Sequence, residues 1–178
     1  MADYIYTVSK QKFHPTNPQK NDIIIEDIAH ALSMLARANG HFPEFHSVAQ
    51  HCIECATESV KRGYNEKITL ACLLHDASEA YMSDVTTPVK KNLSDYTEFE
   101  ERLIDMIYEK YTGSLSKEEK DIVYKIDKDL LYHEFKHYMD IELGEETPLL
   151  SNPEFQFEEF SKVRDKYLDM FYELVEKI

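Results

Sequence analysis

Apolar side chains recur along most of this chain at three- and four-residue spacing, the period of a helix with one buried face. Over residues 26–37 the apolar positions Ile28, Ala31, Leu32 and Leu35 fall together, and Gly40 supplies a stop. Ser47-Val48-Ala49-Gln50 has the form of a capping box, so a second helix begins at Val48 and runs to about residue 62, with His51 in or just beyond its first turn. Asn65 can cap a third helix whose middle, Leu70-Ala71-Cys72-Leu73-Leu74, is apolar on every side and therefore buried all round; His75 and Asp76 end that run. Residues 82–92, with Thr86-Thr87-Pro88, read as a loop. A helix over residues 96–111 follows, with Phe99, Leu103, Met106 and Ile107 inward and Gly113 ending it. Ser116 and Glu119 form a second capping box, opening a helix to about residue 139. After a loop over residues 144–153, a last helix over 157–176 puts Phe160, Val163, Tyr167, Phe171 and Leu174 on one face. Residues 1–22 read as an N-terminal arm, with a short strand over 4–8 and irregular backbone at His14-Pro15 and Asn17-Pro18.

That pattern is an all-α domain of about six main helices, and composition agrees. With 178 residues, 43% of them hydrophobic and 12% aromatic, the chain can bury one substantial core, and nothing divides it into two domains. Four glycines and six prolines are too few for a fold made of many tight turns. No apolar run is long enough for a membrane span and residues 1–12 lack the form of a signal peptide, so the expected compartment is the cytoplasm. Cys52, Cys55 and Cys72 are then expected as reduced thiols, and Cys52-x-x-Cys55 lacks the two further ligands of a closed zinc site.

A formal charge of -14 excludes a protein that grips DNA or RNA by its phosphates. A small anionic substrate would need a cation and a few placed Arg or Lys side chains to reverse the sign locally. His75-Asp76, at the end of an apolar run, therefore stands out, because leaving a buried charge unpaired costs about 3–5 kcal/mol. Taken alone the dipeptide is weak, since a core histidine bonded to a carbonyl beside a salt-bridged aspartate would explain it. Asp127 adds weight. By helical count it projects near the centre of the face made by Val123, Ile126, Leu130, Leu131 and Tyr138, whereas Asp129 projects a third of a turn away and reads as a solvated carboxylate. With His51 the set is two imidazoles and two carboxylates, suited to Mn²⁺, Co²⁺, Fe²⁺ or Zn²⁺. No histidine lies between Asp76 and Asp127 to recruit a second ion from that region, so one divalent ion is expected. Glu134 projects inward beside Asp127 and would orient a ligand or bridge to Arg37 or a lysine, while His41, His46 and His133 read as structural or exposed.

The order His51, His75-Asp76, Asp127 resembles the H...HD...D pattern of the HD-domain phosphohydrolase superfamily. His75-Asp-Ala-Ser-Glu79, Asp84 and Thr87-Pro88-Val89-Lys90 are similar to the signature of its YfbR-like 5'-deoxynucleotidase branch, and Ile25-Glu-Asp-Ile-Ala-His-Ala-Leu-Ser33 with Ser47-Val-Ala-Gln-His51 resembles its compact bacterial and phage members. The likeness covers residues 25–139, which it implies are the core of a single HD-domain helical bundle.

It implies that His51, His75, Asp76 and Asp127 hold the metal, with Asp76 and Glu79 catalytic and Glu79 the acid/base residue. It further implies Arg37 at the phosphate, with Asp84 at the sugar and Lys90 as a weaker second cation. By helical spacing Glu79 is one turn beyond His75 on the same side. Ala38 stands where YfbR-like enzymes have a Trp, and Ser83 where they have a Gly, which leaves base and sugar preference open. The implied reaction is hydrolysis of a (deoxy)nucleoside 5'-monophosphate to nucleoside and phosphate. Two alternatives stay open: a dNTP triphosphohydrolase releasing tripolyphosphate, and a non-catalytic HD module holding metal or nucleotide. The Tyr- and Phe-rich helical surface could support a homodimer or higher homo-oligomer, as in similar proteins.

Overall fold

A computed structural model describes residues 3–178; Met1 and Ala2, part of the expected arm, lie outside the described residues. The architecture is all-α with one small hairpin, β1 (Ile5–Tyr6) pairing antiparallel with β2 (Lys12–Phe13). The longer helices are α1 (Ile25–Met34), α2 (Val48–Lys61), α3 (Glu66–Leu74), α6 (Ser94–Tyr111), α7 (Lys117–Met139) and α8 (Phe160–Val175). Two single-turn helices, α4 (Glu79–Met82) and α5 (Thr87–Lys90), sit between α3 and α6. Among the described residues no helix is long and apolar enough to cross a membrane.

Helix α3 is the axis of the core. Ile68 through Leu74 are all buried, and α3 touches α2, α6, α7 and α8. A helix without a polar face can sit only where neighbours cover it on all sides. Helices α1 and α8 pack together on α2. From α8, the Tyr167 hydroxyl reaches in to donate to the Leu73 carbonyl at 2.8 Å. Both expected capping boxes form: Ser47 with Gln50 opens α2, and Ser116 with Glu119 opens α7. Asn65 caps α3 through the Ile68 N–H. Residues 4–22 are less peripheral than an arm implies. Phe13 is fully buried, and its ring stacks on Tyr81 of α4 with centroids 3.8 Å apart.

Several expected features move. Helix α1 stops at Met34 rather than reaching Arg37, because Ala36 and Ser47 form an antiparallel bridge and Arg37 donates its backbone N–H to His46 O. The chain then reverses through Ala38 and Asn39, both with φ 51, before Gly40. The expected loop over 82–92 contains α5, with Pro88 inside its first turn, where a missing N–H is tolerated. The last helix starts at Phe160, which is exposed, while Val163, Tyr167, Phe171 and Leu174 face inward. Asp129 is not solvated. It is buried and its Oδ2 lies 2.9 Å from Arg62 Nη1, because α7 is covered on that side by the end of α2 as well as on the Asp127 side.

Candidate metal centre

Three chain segments meet at one end of α3. His51 comes from the first turns of α2, His75 caps α3, Asp76 follows it, and Asp127 comes from the middle of α7. His51 Nε2 lies 3.2 Å from His75 Nε2 and 3.0 Å from Asp127 Oδ1; His75 Nε2 lies 3.3 Å from Asp76 Oδ2 and 3.6 Å from Asp127 Oδ1. The four expected ligands are thus brought to one point.

The protons decide what that point can hold. His75 Nδ1 is 2.7 Å from the Cys72 carbonyl, which can only accept, so Nδ1 carries the hydrogen. His51 Nδ1 is 2.5 Å from Glu134 Oε1. Burial would raise the Glu134 pKa, but Arg37 and His51 hold it well below the carboxylate range, so it too accepts. A neutral imidazole has one N–H, and both are used on the outer side. Both Nε2 lone pairs therefore face each other and two carboxylate oxygens. Such a nest repels itself unless positive charge enters it. The chain without a cation answers with protons: burial works against charge on His51 and His75, yet the facing carboxylates raise both, His75 strongly. Asp76, which burial would raise, is held at about 2 by His75 and Arg37, and Asp127 lies well below its ordinary value for the same kind of reason.

A divalent cation fits the donor set. Nitrogen and oxygen donors about 2.0–2.2 Å from one ion lie roughly 2.9–3.5 Å apart at tetrahedral or octahedral angles, and three of the four separations fall in that span. The outer hydrogen bonds, one imidazole to a carboxylate and one to a carbonyl, are those that orient metal-binding histidines. The Cys55 thiol adds a neighbour that sequence reasoning set aside, with Sγ 3.5 Å from His51 Nε2. Burial pushes the Cys52 and Cys55 thiols up and holds Cys72 at about 11, so all three are protonated near neutral pH in the cation-free chain.

Arg37 does not stand free. It is buried, with Nε and Nη2 3.3 and 3.2 Å from Glu134 Oε2 and Nη1 3.4 Å from Asp76 Oδ2. Glu134 thus does both things considered for it, orienting His51 with one oxygen and holding Arg37 with the other. Glu79 is not on a helix continuous with His75. Helix α3 ends at Leu74, residues 75–78 form tight turns, and Glu79 opens α4. It is buried, with Oε2 lacking a hydrogen-bond partner among the described residues and Lys90 Nζ 3.9 Å from Oε1. Burial, then Asp76 and Asp84, push its pKa well above the ordinary value. Asp84 is raised chiefly by burial, and Lys90 is 2.7 Å from Glu100 Oε1. Ser83, just before Asp84, takes φ 69, a region glycine occupies more freely.

His75, Asp76, Glu79, Lys90 and Asp127 line a cavity of about 560 Å³, the size of small-molecule sites. Six carboxylates line it against two lysines, Lys90 and Lys120. Of the two expectations for His46, structural or exposed, burial excludes the second. It is buried, with Nε2 3.3 Å from Glu54 and 3.6 Å from Glu134; Glu54 carries no sequence signal beyond being a glutamate on α2. His41 is exposed, and His133 contacts the Thr147 carbonyl through Nε2 at 2.9 Å.

No family model matches the chain. It is 39% identical over 108 residues to the uncharacterized protein YfdR of Escherichia coli K12, a stretch covering 61% of this chain and 58% of that protein. It is 37% identical over 106 residues to an uncharacterized protein of Rhodobacter capsulatus, covering 57% of this chain and 54% of that one. The chain therefore spans little more than half the length of these relatives, and neither name states an activity.

Proposed function

We propose that the protein is a metal-dependent phosphohydrolase of HD-domain type that cleaves nucleoside 5'-monophosphates to nucleoside and phosphate. The observation that carries the reading is the pair of imidazole Nε2 atoms 3.2 Å apart, each with its Nδ1 side bonded outward, facing two aspartates beside a cavity of small-molecule size. When bound there, a divalent cation supplies Lewis acidity, polarising a phosphoryl oxygen and lowering the pKa of the attacking water. His51, His75, Asp76 and Asp127 hold it. Glu134 and the Cys72 carbonyl fix the two imidazoles. Arg37, anchored by Glu134, presents Nη1 on the Asp76 side, where it neutralises charge on a phosphoryl oxygen.

Glu79 handles the proton. Burial raises the pKa of its carboxyl, whose Oε2 has no hydrogen-bond partner among the described residues, and this suits it to pass a proton to the leaving oxygen. Lys90 lines the cavity as a second cation for the phosphate, and Asp84, which does not line it, is assigned to the sugar by the family resemblance alone. Against six carboxylates, a triphosphate would bring about two more negative charges than a monophosphate, and beyond Arg37 and the cation only Lys90 and Lys120 answer them, which favours a monophosphate over the triphosphate alternative.

The test is phosphate release from a panel of nucleoside mono- and triphosphates with Mn²⁺ or Co²⁺. Wild type should turn over monophosphates, Asp127→Ala should abolish turnover with loss of the ion, and Glu79→Ala should lower it about 10²–10⁴-fold. Equal turnover by both variants and wild type would refute the assignment.

A further inference from the structure

A second group of donors lies one side chain behind His51. His46, on the connection leading into α2, directs Nε2 at Glu54 Oε2 of α2 (3.3 Å) and Glu134 Oε1 of α7 (3.6 Å), and one donor atom from each residue lies within 4.8 Å of the other two. The His46 and Glu134 side chains are wholly enclosed, and Glu54, whose side chain is 17% exposed, forms the side nearest solvent. His46 Nε2 and Glu54 Oε2 have no hydrogen-bond partner among the described residues, although they are 3.3 Å apart. Their contact is close enough for an ion pair and too poorly aligned for an N–H···O bond, so both atoms address the gap between the three side chains.

Two carboxylates that converge this closely need positive charge between them. One imidazole with two carboxylates is a donor set for a borderline or hard divalent ion such as Zn²⁺ or Mn²⁺. Access comes from a cavity of about 240 Å³ that Glu54 lines together with Ser151, Glu154 and Glu158, and Ser151 Oγ is likewise without a partner. The cavity meets the group at Glu54 alone, the side from which an ion and its water would enter.

We propose that His46, Glu54 and Glu134 form a second divalent-cation site, separate from the nest of His51, His75, Asp76 and Asp127. Glu134 joins the two, since the Oε1 that faces His46 also accepts the His51 Nδ1–H. The proposal concerns ion binding and does not depend on the hydrolase reading.

The experiment titrates chelator-stripped full-length protein with Mn²⁺ and counts free ion by electron paramagnetic resonance. Wild type is expected to bind two ions per chain, Glu54→Gln one and Asp127→Asn one. Glu54→Gln is isosteric at a partly open position, and its thermal unfolding in chelator checks the fold. A wild type that binds no ion overturns the second site without any variant having to fold, and so does a single ion that Glu54→Gln keeps and Asp127→Asn loses. Glu54→Gln binding as many ions as wild type overturns it equally. Both counts are independent of turnover, so a protein that binds two ions and hydrolyses no nucleotide would remove the hydrolase reading alone.

Discussion

Replacing Glu134 by Gln tests whether one buried carboxylate organises the centre. Its two oxygens receive four groups: Oε1 faces His51 Nδ1 at 2.5 Å and His46 Nε2 at 3.6 Å, and Oε2 faces Arg37 at 3.2 and 3.3 Å. A glutamine keeps the shape but has one accepting oxygen. If that oxygen serves His51, its NH₂ points at the Arg37 guanidinium, donor against donor; if it serves Arg37, His51 loses its acceptor. Either way Arg37 stays buried with Asp76 as its remaining close ion partner. Breaking a buried pair in this manner costs about 3–5 kcal/mol. In a chain of this length 1 kcal/mol moves Tm by roughly 2–4 °C, so chelator-treated Glu134→Gln should melt about 6–20 °C below wild type. Loss of the group orienting a ligating imidazole should weaken cation affinity about 10–100-fold. Calorimetry gives the first number and competition with a metal-sensitive dye the second. Wild-type cation affinity in a destabilised Glu134→Gln would show that His51 is not a ligand oriented by Glu134, and the proton argument for the nest would fail with it.

Two further predictions separate this centre from its surroundings. Asp129→Ala breaks the buried pair with Arg62, which keeps Glu58 at 2.7 Å, so it should cost about 3 kcal/mol in urea unfolding and leave cation affinity at the wild-type value; a drop in affinity would mean the two faces of α7 are not independent. His46 is disfavoured as a cation by burial, but the close Glu134 and Glu54 carboxylates raise its pKa from 6.5 to about 9. A folded-state pKa above the unfolded one stabilises fully below about 6.5 and is lost as pH rises through about 9, so chelator-treated wild type should lose up to ~3 kcal/mol more than His46→Gln across that window. Parallel curves for the two proteins would show that the imidazole is not held between charged carboxylates.

What the sequence disclosed and what it hid follow from the range of each interaction. Capping boxes at Ser47 and Ser116 are local patterns of four residues, and they form where expected. The apolar run of α3 says that neighbours must surround it, and they do. Boundaries set by distant partners were not legible. The end of α1 depends on a bridge between Ala36 and Ser47, and burial of Asp129 on Arg62, 67 positions earlier in the chain. Helical counting placed Asp127 inward correctly but assumed a single covered face, whereas α7 is covered on two. His46 and Glu54 were invisible for another reason. Neither sits in an apolar run, and what makes them notable is their convergence on Glu134 from a different helix.

Charge gives the deepest link between the chain as a whole and its centre. A net charge of -14 and a cavity with six carboxylates oppose any phosphate ester, so recognition by surface basicity is closed to this protein. The centre inverts the field by another route. It gathers carboxylates around imidazoles whose protons are pinned outward, which makes the inside of the nest a sink for positive charge. Protons fill that sink in the bare chain, and an ion of charge +2 fills it with fewer particles and open coordination positions. The surrounding acids that would repel a polyanion then become an advantage, because they raise the affinity for the cation while limiting how much negative charge the ligand can bring. Neutralising the outer acids Glu101 and Asp105 should therefore relax discrimination between mono- and triphosphates and weaken the ion's affinity without abolishing it, whereas neutralising Asp127 should remove the ion itself.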